Sequence, residues 1–544
     1  MAPESADVTP RPTKDGEGNR QIGRVVCVSG AQVIAIATHT PDGPGSTPER
    51  DLRKGGLVKI RLPQSVAYGI VTGLSIPVPA QHSSEELQLA EFELIGELRA
   101  RQDRKATFRR GISHYPVLGD AVLSVGPSDL AEVYAPASAS TVRIGLNHHD
   151  PSQPVRVAAD DLLGKHVAVL GTTGCGKSSA VALLIHALLE AYPNAHMLVL
   201  DPHNEYSRAL TDKAEVFRPD SLQLPYWLLT ASEIRAVVLG SEAGAPVPEA
   251  AAVILTDLIP LAKRAYSDTD LRITVNTPVP YRLSDVNRLL DETMGRLDQT
   301  QNLAPYRWLK SRLEVLSTDS RYAFMFGGIA VHDSMAKVLS SILRIPGNGR
   351  PVSIFDLSAL PSEAINTVVS VLCRLVFDFA LWSQGERPVL LVCEEAHRYA
   401  PAADGLGFAS TRAALARIAK EGRKYGVSLC IVSQRPSELD TTIVSQCNTT
   451  IAFRMTNLRD QELVRGITTD GAHGLLDFLP SLSDAEAIIV GEGVPVPLRV
   501  RFDHLPSERQ PRSSTARFSS SWRAEGRDLD FVAEVVERWR RQYR

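Results

Sequence analysis

The stretch HVAVLGTTGCGKSSAVALLIHALL, residues 166–189, decides the fold of this chain. Its centre, Gly171 to Ser178, fits the pattern G-x-x-x-x-G-K-[ST], with an apolar strand before it and an apolar helix after it. The glycines let successive backbone N–H groups point inward around phosphates, and the helix that follows presents its positive dipole end to the same anions. The stretch therefore predicts a P-loop that binds a nucleoside triphosphate.

Individual loop residues have distinct expected roles. Lys177 places a positive charge on the β- and γ-phosphates, and the Ser178 hydroxyl coordinates Mg²⁺. ATP and Mg²⁺ are accordingly the expected cofactors. The other residues expected to contact the nucleotide are Gly171, Thr172, Thr173, Gly174, Cys175, Gly176 and Ser179. Cys175 is interpreted as a spacer in a turn. A chance glycine-rich turn is the alternative, and the flanking strand and helix argue against it.

A second acidic site follows a later apolar run, PVLLVCEE at residues 388–395. Adjacent side chains at a strand end point in opposite directions, so one acid is expected to reach Mg²⁺ and the other the attacking water. By position Glu394 takes the metal role and Glu395 the water-activating role. We expect this strand to be a neighbour of the P-loop strand. A solvated acidic turn is the alternative.

A polar residue ends the next predicted strand, VSLCIVSQ, at Gln434. A side chain at the end of the strand beside the acidic one is placed to touch both the γ-phosphate and the attacking water. We therefore expect Gln434 to act as a sensor, although a glutamine at a strand end more often serves as a simple cap.

Strands alternate with helices from residue 150 onward, which predicts an α/β fold with a parallel-rich central sheet. Residues 21–80 contain short β-branched runs typical of a small β-barrel or sandwich, and residues 85–110 begin with a helical pattern before they become basic. The expected segments are a disordered arm (1–20), a β-barrel-containing domain (21–145), a core in two parts (146–229 and 346–505), a helical insertion (230–345) and a tail with a helix (506–544).

The composition excludes several protein classes. With 544 residues, a net charge of −3, 44% hydrophobic and 22% charged residues, the chain has the composition of a soluble globular protein, and the nearly balanced charge means that any contact with nucleic acid must be local. Six cysteines without C-x-x-C spacing favour reduced thiols in a cytoplasmic protein over disulfides or a zinc site. We expect no membrane span, because no run approaches about 18 uninterrupted apolar residues, and no signal peptide, because the polar N-terminal segment lacks an apolar stretch.

Four motifs together resemble the HerA branch of the HerA/FtsK superfamily of DNA-translocating ATPases. They are GTTGCGKSS (171–179), LVLDPHNEY (198–206), LLVCEEAHRY (390–399) and AKEGRKYGVSLCIVSQRPSELDTTIVSQCNTTIAFRM (419–455). The resemblance covers about residues 150–500, and its most specific part is SQRPSE followed by SQCN. It implies a RecA-like core, an N-terminal barrel, a homo-hexameric ring around double-stranded DNA, and ATP at subunit interfaces.

The resemblance also implies roles for residues outside the P-loop. Asp201 and Glu205 match a family motif at the end of a strand beside the P-loop and are expected to line the nucleotide pocket, with a helix-capping turn as the alternative. Arg423 matches a family arginine that reaches nucleotide at the interface. Lys165 stands where relatives place an arginine finger, but a lysine lacks the bidentate fork of arginine. Glu394 replaces the usual aspartate and keeps its charge.

DNA contacts and partners are the least constrained features. Two basic candidates are the loop from Arg398 to Arg412, with Lys420, and the cluster Arg99, Arg101, Arg104, Lys105, Arg109 and Arg110. By resemblance, an effector protein is expected, either a nuclease or a sirtuin-like NAD-consuming enzyme, in anti-phage defence or DNA end processing. Two alternatives remain: a ring scaffold that assembles and regulates an effector, and a secretion or conjugation coupling ATPase.

Overall fold

The chain forms two compact units in a computed structural model. The first takes in Met1–Ala158, Thr468–Leu482 and Glu486–Arg501, and the second Ala159–Ile467, Ser483–Ala485 and Phe502–Arg544. The structure describes residues 20–37, 52–76, 88–101, 104–136, 138–219, 221–266, 272–296, 302–327, 333–360, 362–403, 408–468, 473–512, 518–523 and 529–540. The expected N-terminal arm falls almost entirely outside these ranges.

A closed antiparallel β-barrel forms the N-terminal part of the first unit. Its strands are β1 (Gln21–Ser29), β2 (Gln32–Ala37), β3 (Leu57–Arg61), β4 (Ser65–Ser75), β5 (Leu89–Arg101), β6 (Arg104–Arg110) and β7 (Ala121–Leu123). The order is β2-β1-β7-β3-β4-β5, and a β2–β5 pairing closes the barrel, while β6 adds to β5. Val33, Val58, Ile60 and Phe92 are among the side chains that fill its core. Successive side chains of a strand point to opposite faces, so every second residue of a barrel strand points into this core and can be apolar.

The helical pattern expected at the start of residues 85–110 is wrong. This segment is the antiparallel hairpin of β5 and β6. In β5 the residues Ala90, Phe92 and Leu94 are buried while Glu91 is exposed. This alternation has the period of two that a strand requires, and the neighbouring strands β2 and β4 supply its hydrogen-bond partners.

Four further strands belong to the first unit, and they lie in the order β17-β18-β8-β9. They are β8 (Thr141–Asn147), β9 (Pro154–Ala158), β17 (Glu486–Gly491) and β18 (Leu498–Phe502). The pairs β8–β9 and β17–β18 are antiparallel. Two short helices, α1 (Pro127–Val133) and α15 (His473–Leu476), also belong to this unit.

A parallel sheet of seven strands forms the centre of the second unit. Its order is β12-β13-β11-β14-β15-β10-β16. The strands are β10 (Val167–Leu170), β11 (His196–Asp201), β12 (Ala214–Phe217), β13 (Val352–Asp356), β14 (Val389–Cys393), β15 (Val427–Ser433) and β16 (Thr449–Phe453). β10 and β13–β16 are buried along their whole length, as expected for a parallel sheet covered on both faces.

Two expected strand neighbours are wrong. The neighbours of the P-loop strand β10 are β15 and β16, so β14, which carries the acid pair, is one strand further away. β11, which ends at Asp201, is not beside β10 either, because both β15 and β14 lie between them. Chain order does not fix sheet order when every connection is a crossover. The expected pairing of β14 with β15, the strand that Gln434 follows, is confirmed.

Helices surround this sheet. They are α2 (Ala159–Gly164), α3 (Lys177–Ala191), α4 (Tyr206–Ala209), α5 (Ala231–Leu239), α6 (Pro246–Tyr266), α7 (Leu283–Arg296), α8 (Ala304–Thr318), α9 (Ala323–Phe326), α10 (Met335–Leu343), α11 (Ser362–Trp382), α12 (Ala409–Glu421), α13 (Thr441–Val444), α14 (Leu458–Ile467), α16 (Phe518–Arg523) and α17 (Leu529–Arg540). Helices α5 to α10 follow one another between β12 and β13. The expected α/β class is therefore confirmed, with a P-loop core built on a parallel sheet, an N-terminal barrel and a helical segment inserted between core strands.

Among the residues that the structure describes, one helix is long and apolar enough to cross a membrane by length and composition. It is Ala364–Trp382, and 72% of this window is buried inside the protein. Buried core helices pass the same test, and α11 packs against α12 and α5. The helix is therefore a core element of the second unit.

Candidate nucleotide-binding site

The carboxyl ends of four parallel strands gather the predicted site residues. The P-loop follows β10, Asp201 ends β11, Glu394 and Glu395 follow β14, and Gln434 follows β15. Parallel strands end at the same edge of a sheet, which is where ligands bind in open α/β folds. Most of the residues predicted from separate motifs thus come together at one edge.

The P-loop has a backbone that only glycine accommodates easily. Gly174 has a φ of +78° and Gly176 a φ of +103°. A Cβ atom on Gly171 would lie 2.6 Å from the Cβ of Phe453 on β16. The Cys175 carbonyl accepts a hydrogen bond from the Ala485 backbone N–H at 3.0 Å. Backbone conformation and close packing therefore hold the loop in the form of an amide nest.

Lys177 is the first residue of α3, and its side chain is buried. Its Nζ donates a hydrogen bond to the Thr172 carbonyl at 2.7 Å, and the Cys175 thiol donates to the same carbonyl at 2.8 Å. Burial raises the pKa of Cys175, so this thiol is not a reactive thiolate. Ser178 and Ser179 follow in the first turn of α3. The lysine is thus folded over the loop that would hold the phosphates.

A continuous hydrogen-bond chain joins the P-loop to the acid pair. The Thr173 hydroxyl donates to the Gln434 side-chain oxygen, and the Gln434 amide donates to Glu395 Oε1. Gln434 therefore contacts both the tip of the loop and the expected water-activating acid. This is the position that a sensor of the terminal phosphate requires.

Glu395 combines strained backbone with a buried carboxylate. Its φ is +51°, uncommon for a residue other than glycine, and its side chain is almost fully buried. Burial raises the pKa of Glu395, while Lys177 and His203 oppose that shift. Glu395 Oε2 is buried without a hydrogen-bond donor within the described ranges, although His397 Nδ1 lies 3.3 Å away. Because burial lowers the pKa of His397 to about 4, the neighbouring imidazole is neutral at pH 7.

Glu394 has a different environment. Its Oε2 accepts a hydrogen bond from the Tyr206 hydroxyl at 2.7 Å, and its backbone carbonyl accepts one from Tyr399 at 2.6 Å. Burial raises the pKa of Glu394 to about 8, and the carboxylates of Glu205, Glu395 and Asp201 add to the rise. The two acids of the pair therefore differ in partners, with Tyr206 beside Glu394 and Gln434 beside Glu395.

Asp201 makes the contacts of a capping turn. Its Oδ2 accepts from the Tyr206 N–H at 2.9 Å and its Oδ1 from the His203 N–H at 3.2 Å. Burial raises the pKa of Asp201 to about 6. The Glu205 carbonyl accepts from the Arg512 N–H. These contacts order the segment that places Tyr206 against Glu394, so the aspartate supports the site through the backbone.

Lys165 and Arg423 lie at the opposite edge of the sheet. Lys165 precedes β10, and Arg423 lies in the turn Gly422–Tyr425 that precedes β15. At about 3.3 Å per strand residue, Lys165 is roughly 20 Å from Gly171. Burial lowers the pKa of His166, which follows Lys165, and the positive charge of Arg423 adds to this lowering. The structure does not bring Lys165 or Arg423 to the P-loop of its own chain.

Some of the basic side chains proposed to contact DNA already have partners within the protein, and others are exposed to solvent. Arg412 lies 3.7 Å from Asp440, whereas Arg398 and Lys420 are exposed. Residues 404–407 of this loop lie outside the described residues. In the second cluster, Arg99 lies 3.3 Å from Glu97, Arg109 is exposed, and Arg110 donates to the carbonyls of Gly491, Val494 and Pro495. The side chains of Arg101, Arg104 and Lys105 lie outside the described part of the chain.

The sequence interpretation missed two contributors to the site. Tyr206 stands at the end of the quoted DPHNEY motif, but an aromatic residue beside a strand end usually signals only packing. Ala485, with a φ of +60°, donates its backbone N–H to the P-loop. It comes 310 positions after Cys175 in the chain, and no local sequence pattern marks such a brace.

Comparison with known proteins agrees with this geometry. The family model described as "Helicase HerA, central domain" matches residues 142–376. The DNA double-strand break repair helicase HerA of Pyrococcus furiosus is 25% identical over 440 residues, covering 74% of this chain and 75% of that protein. The HerA of Sulfurisphaera tokodaii is 27% identical over 428 residues, covering 77% and 80%.

Among solved structures, VirB4 of Thermoanaerobacter pseudethanolicus matches with a TM-score of 0.49 and 16% identity, covering 69% of this chain and 99% of that one. The P-loop, the acid pair and Gln434 stand at one sheet edge, and the family match includes the P-loop and β11. Residues 142–376 therefore match the central domain of the HerA helicases, and the chain is similar to these proteins over about three quarters of its length.

Proposed function

We propose that this chain is the subunit of a homo-hexameric, cytoplasmic motor that hydrolyses ATP to translocate double-stranded DNA through its ring. One observation carries the proposal. The hydrogen-bond chain from Thr173 through Gln434 to Glu395 connects the phosphate-binding loop to a buried acid, which is the connection a hydrolytic site needs. The HerA relatives, named as DNA double-strand break repair helicases, support DNA as the substrate of the motor.

Hydrolysis would use residues that are already in place. The amide nest of Gly174 and Gly176 binds the phosphates of ATP, and Lys177 exchanges its contact with the Thr172 carbonyl for the β- and γ-phosphates. Glu395 orients the attacking water through its unsatisfied Oε2, while Gln434 holds the other carboxylate oxygen. The site thus combines charge stabilisation with positioning of the nucleophile.

The residues at this edge also suit Mg²⁺. The Ser178 hydroxyl and the Glu394 carboxyl are oxygen donors of the kind that Mg²⁺ prefers, and the unpartnered Glu395 Oε2 offers an acceptor for a water of its shell. When bound, Mg²⁺ would neutralise charge on the phosphate oxygens. Tyr206 would keep the Glu394 carboxyl in a fixed orientation for this task.

Lys165 and Arg423 support assembly into a ring. Both lie at the sheet edge opposite the P-loop, where they cannot reach their own nucleotide. In a ring of identical subunits this edge would face the nucleotide of the neighbouring subunit, and the two cations would stabilise its phosphates. Arg398 and Lys420 are exposed and are candidates for contacts with DNA phosphates in the pore.

The physiological output depends on a partner. A nuclease would make the motor part of DNA end processing, and a sirtuin-like NAD-consuming enzyme would make it part of anti-phage defence. Neither partner is identified by the residues of this chain. Purification of the ring with each candidate effector would identify which one forms a stable complex.

The motor is tested by ATP turnover with and without duplex DNA, together with strand displacement. We expect duplex DNA to raise turnover in the wild type and Lys177→Ala to abolish turnover, because the charge on the phosphates is lost. An exposed-lysine control, Lys310→Ala, should behave as the wild type. If duplex DNA does not change ATP turnover and no strand is displaced, the motor hypothesis is contradicted, and a ring that serves as a scaffold is favoured.

A further inference from the structure

A cleft lined by four arginines lies along β12, at one end of the seven-stranded sheet. It has a volume of about 640 Å³ and is lined by Arg208, Arg218, Arg350 and Arg512, together with apolar residues of β12. Five strand spacings of about 4.8 Å separate β12 from the P-loop strand β10, so the two sites are roughly 24 Å apart. This arginine cleft is therefore separate from the P-loop of the same chain.

The arginines come from different parts of the chain. Arg208 belongs to α4, Arg218 follows β12, Arg350 precedes β13, and Arg512 follows β18. The backbone N–H of Arg512 donates a hydrogen bond to the Glu205 carbonyl at 3.1 Å. This contact holds the segment around Arg512 beside α4. Four guanidinium groups converge here although the whole chain has a net charge of −3.

Acidic side chains do not match this concentration of positive charge. Among the described residues, Glu215 is the single carboxylate that lines the cleft, and it lies 3.4 Å from Arg350. Arg218 lies 3.8 Å from Asp356. Both pairs involve exposed arginines and are weak. Within the described ranges, Arg208 and Arg512 form no side-chain ion pair, so at least two guanidinium groups are available to a ligand.

The chemistry of the cleft fits phosphate esters. Guanidinium groups bind phosphate oxygens in bidentate fashion and are weakly hydrated, so a cluster of them binds phosphate more readily than lysines would. Ala214 and Val216 of β12 supply an apolar floor suited to a sugar or a base. The volume of the cleft lies in the range of pockets that hold small ligands. A cleft of this size has room for about one nucleotide.

We propose that the arginine cleft binds the phosphates of nucleotide units, supplied either by a single strand of nucleic acid or by a free nucleotide. Arg208 and Arg512 make the principal phosphate contacts, and Arg218 and Arg350 leave their acidic partners to add to them. This site lies outside the ATPase centre and does not depend on the proposed motor activity.

The test measures the affinity for a short, labelled single-stranded oligonucleotide at several salt concentrations. The P-loop is saturated with a non-hydrolysable ATP analogue throughout. The double variant Arg208→Gln/Arg512→Gln is compared with the wild type. The matched control is Arg272→Gln/Arg307→Gln, which removes two exposed arginines of the same unit away from the cleft. We expect the cleft variant alone to bind roughly 10-fold more weakly, with a log–log salt slope reduced by about 1 to 2.

Competitors distinguish the two sources of phosphate. Displacement of the oligonucleotide by further ATP or tripolyphosphate, in the wild type and not in the cleft variant, identifies a free-nucleotide site. Resistance to both competitors, with the cleft variant still impaired, identifies a strand-binding site.

Three results would overturn the proposal. The first is equal affinity and equal salt slope in the cleft variant and the control. The second is displacement by a poly-glutamate peptide with no arginine-dependent binding of the oligonucleotide, which would mean that the cleft takes an acidic protein segment. The third is a change in assembly size of the cleft variant in light scattering, absent in the control, which would make the cleft a subunit interface.

Discussion

The hydroxyl of Tyr206 donates a hydrogen bond to Glu394 Oε2 across 2.7 Å, and both side chains are buried. Tyr206→Phe removes this donor and keeps the ring. We expect kcat for ATP to fall about 10-fold with little change in KM, since a buried acceptor that loses its partner costs about 1–3 kcal/mol of positioning. Steady-state kinetics at saturating and limiting ATP separate the two constants.

The control for this change is Tyr192→Phe, at the exposed end of α3. That variant should match the wild type in both constants. If Tyr206→Phe also matches it, the hydroxyl has no part in positioning Glu394, and the contact serves packing only. A rise in KM without a fall in kcat would instead place Tyr206 in nucleotide binding.

Glu395→Gln should separate ATP binding from ATP hydrolysis. The amide keeps the size of the side chain and the contact with Gln434, but it cannot act as a base towards water. We expect turnover to fall by about 10²- to 10⁴-fold, the usual contribution of a general base, while the protein retains bound ATP through gel filtration. Glu438→Gln, an exposed acid nearby, is the control. Normal turnover in Glu395→Gln would assign the base to another residue.

The P-loop could be predicted from sequence because all of its chemistry is contiguous. Gly171 to Ser178 carry the backbone conformation, the charge and the hydroxyl within one turn, so spacing alone specifies them. The order of the strands could not be predicted in this way. Placing β15 between β10 and β14 depends on how crossover helices pack, and that information is distributed over the whole unit.

Contacts between residues that are far apart in the chain also could not be predicted from the sequence. Tyr206 and Glu394 are 188 positions apart, and their pairing depends on β11 and β14 being neighbours. The segment Leu89–Arg101 shows a different limit. Its first residues fit a helical period as well as a strand period, and the barrel decides between them because β2 and β4 offer edges on both sides.

Mixed rings test whether Arg423 acts on a neighbouring subunit. Arg423 and the P-loop occupy opposite edges of the sheet, so each variant Arg423→Ala and Lys177→Ala should be inactive alone. In mixtures, some interfaces would combine an intact P-loop with an intact arginine. We expect partial recovery of ATP turnover that peaks near equal proportions of the two variants.

The control for mixing is each variant combined with itself at the same total concentration, which should give no recovery. Lys165→Ala combined with Lys177→Ala tests the second cation in the same way. A mixture of Arg423→Ala and Lys177→Ala that stays inactive, although it forms rings of normal size, would leave Arg423 as a residue that acts within its own subunit.

Lys263 is a buried cation, and its contacts predict that replacing it lowers the stability of the protein strongly. Its Nζ donates to the carbonyls of Val275 at 2.7 Å and Thr277 at 2.6 Å, and only 1% of the residue is exposed. Lys263→Met keeps the length of the side chain and removes both donors. We expect the free energy of unfolding to fall by about 2–4 kcal/mol, because two carbonyls lose their partner. Lys310→Met, in an exposed ion pair with Asp291, should change it by less than about 1 kcal/mol.

The same lysine gives the stability a dependence on pH. Burial first, and then the charge of Arg374, lowers the pKa of Lys263 to about 8, from about 10.4 in the unfolded chain. Between these values the unfolded state binds more protons than the folded state, so the contribution of Lys263 to stability rises as the pH increases from about 8 to about 10. Chemical denaturation across this range should show a steeper rise for the wild type than for Lys263→Met. Parallel pH profiles would mean that the ammonium group titrates normally despite its burial.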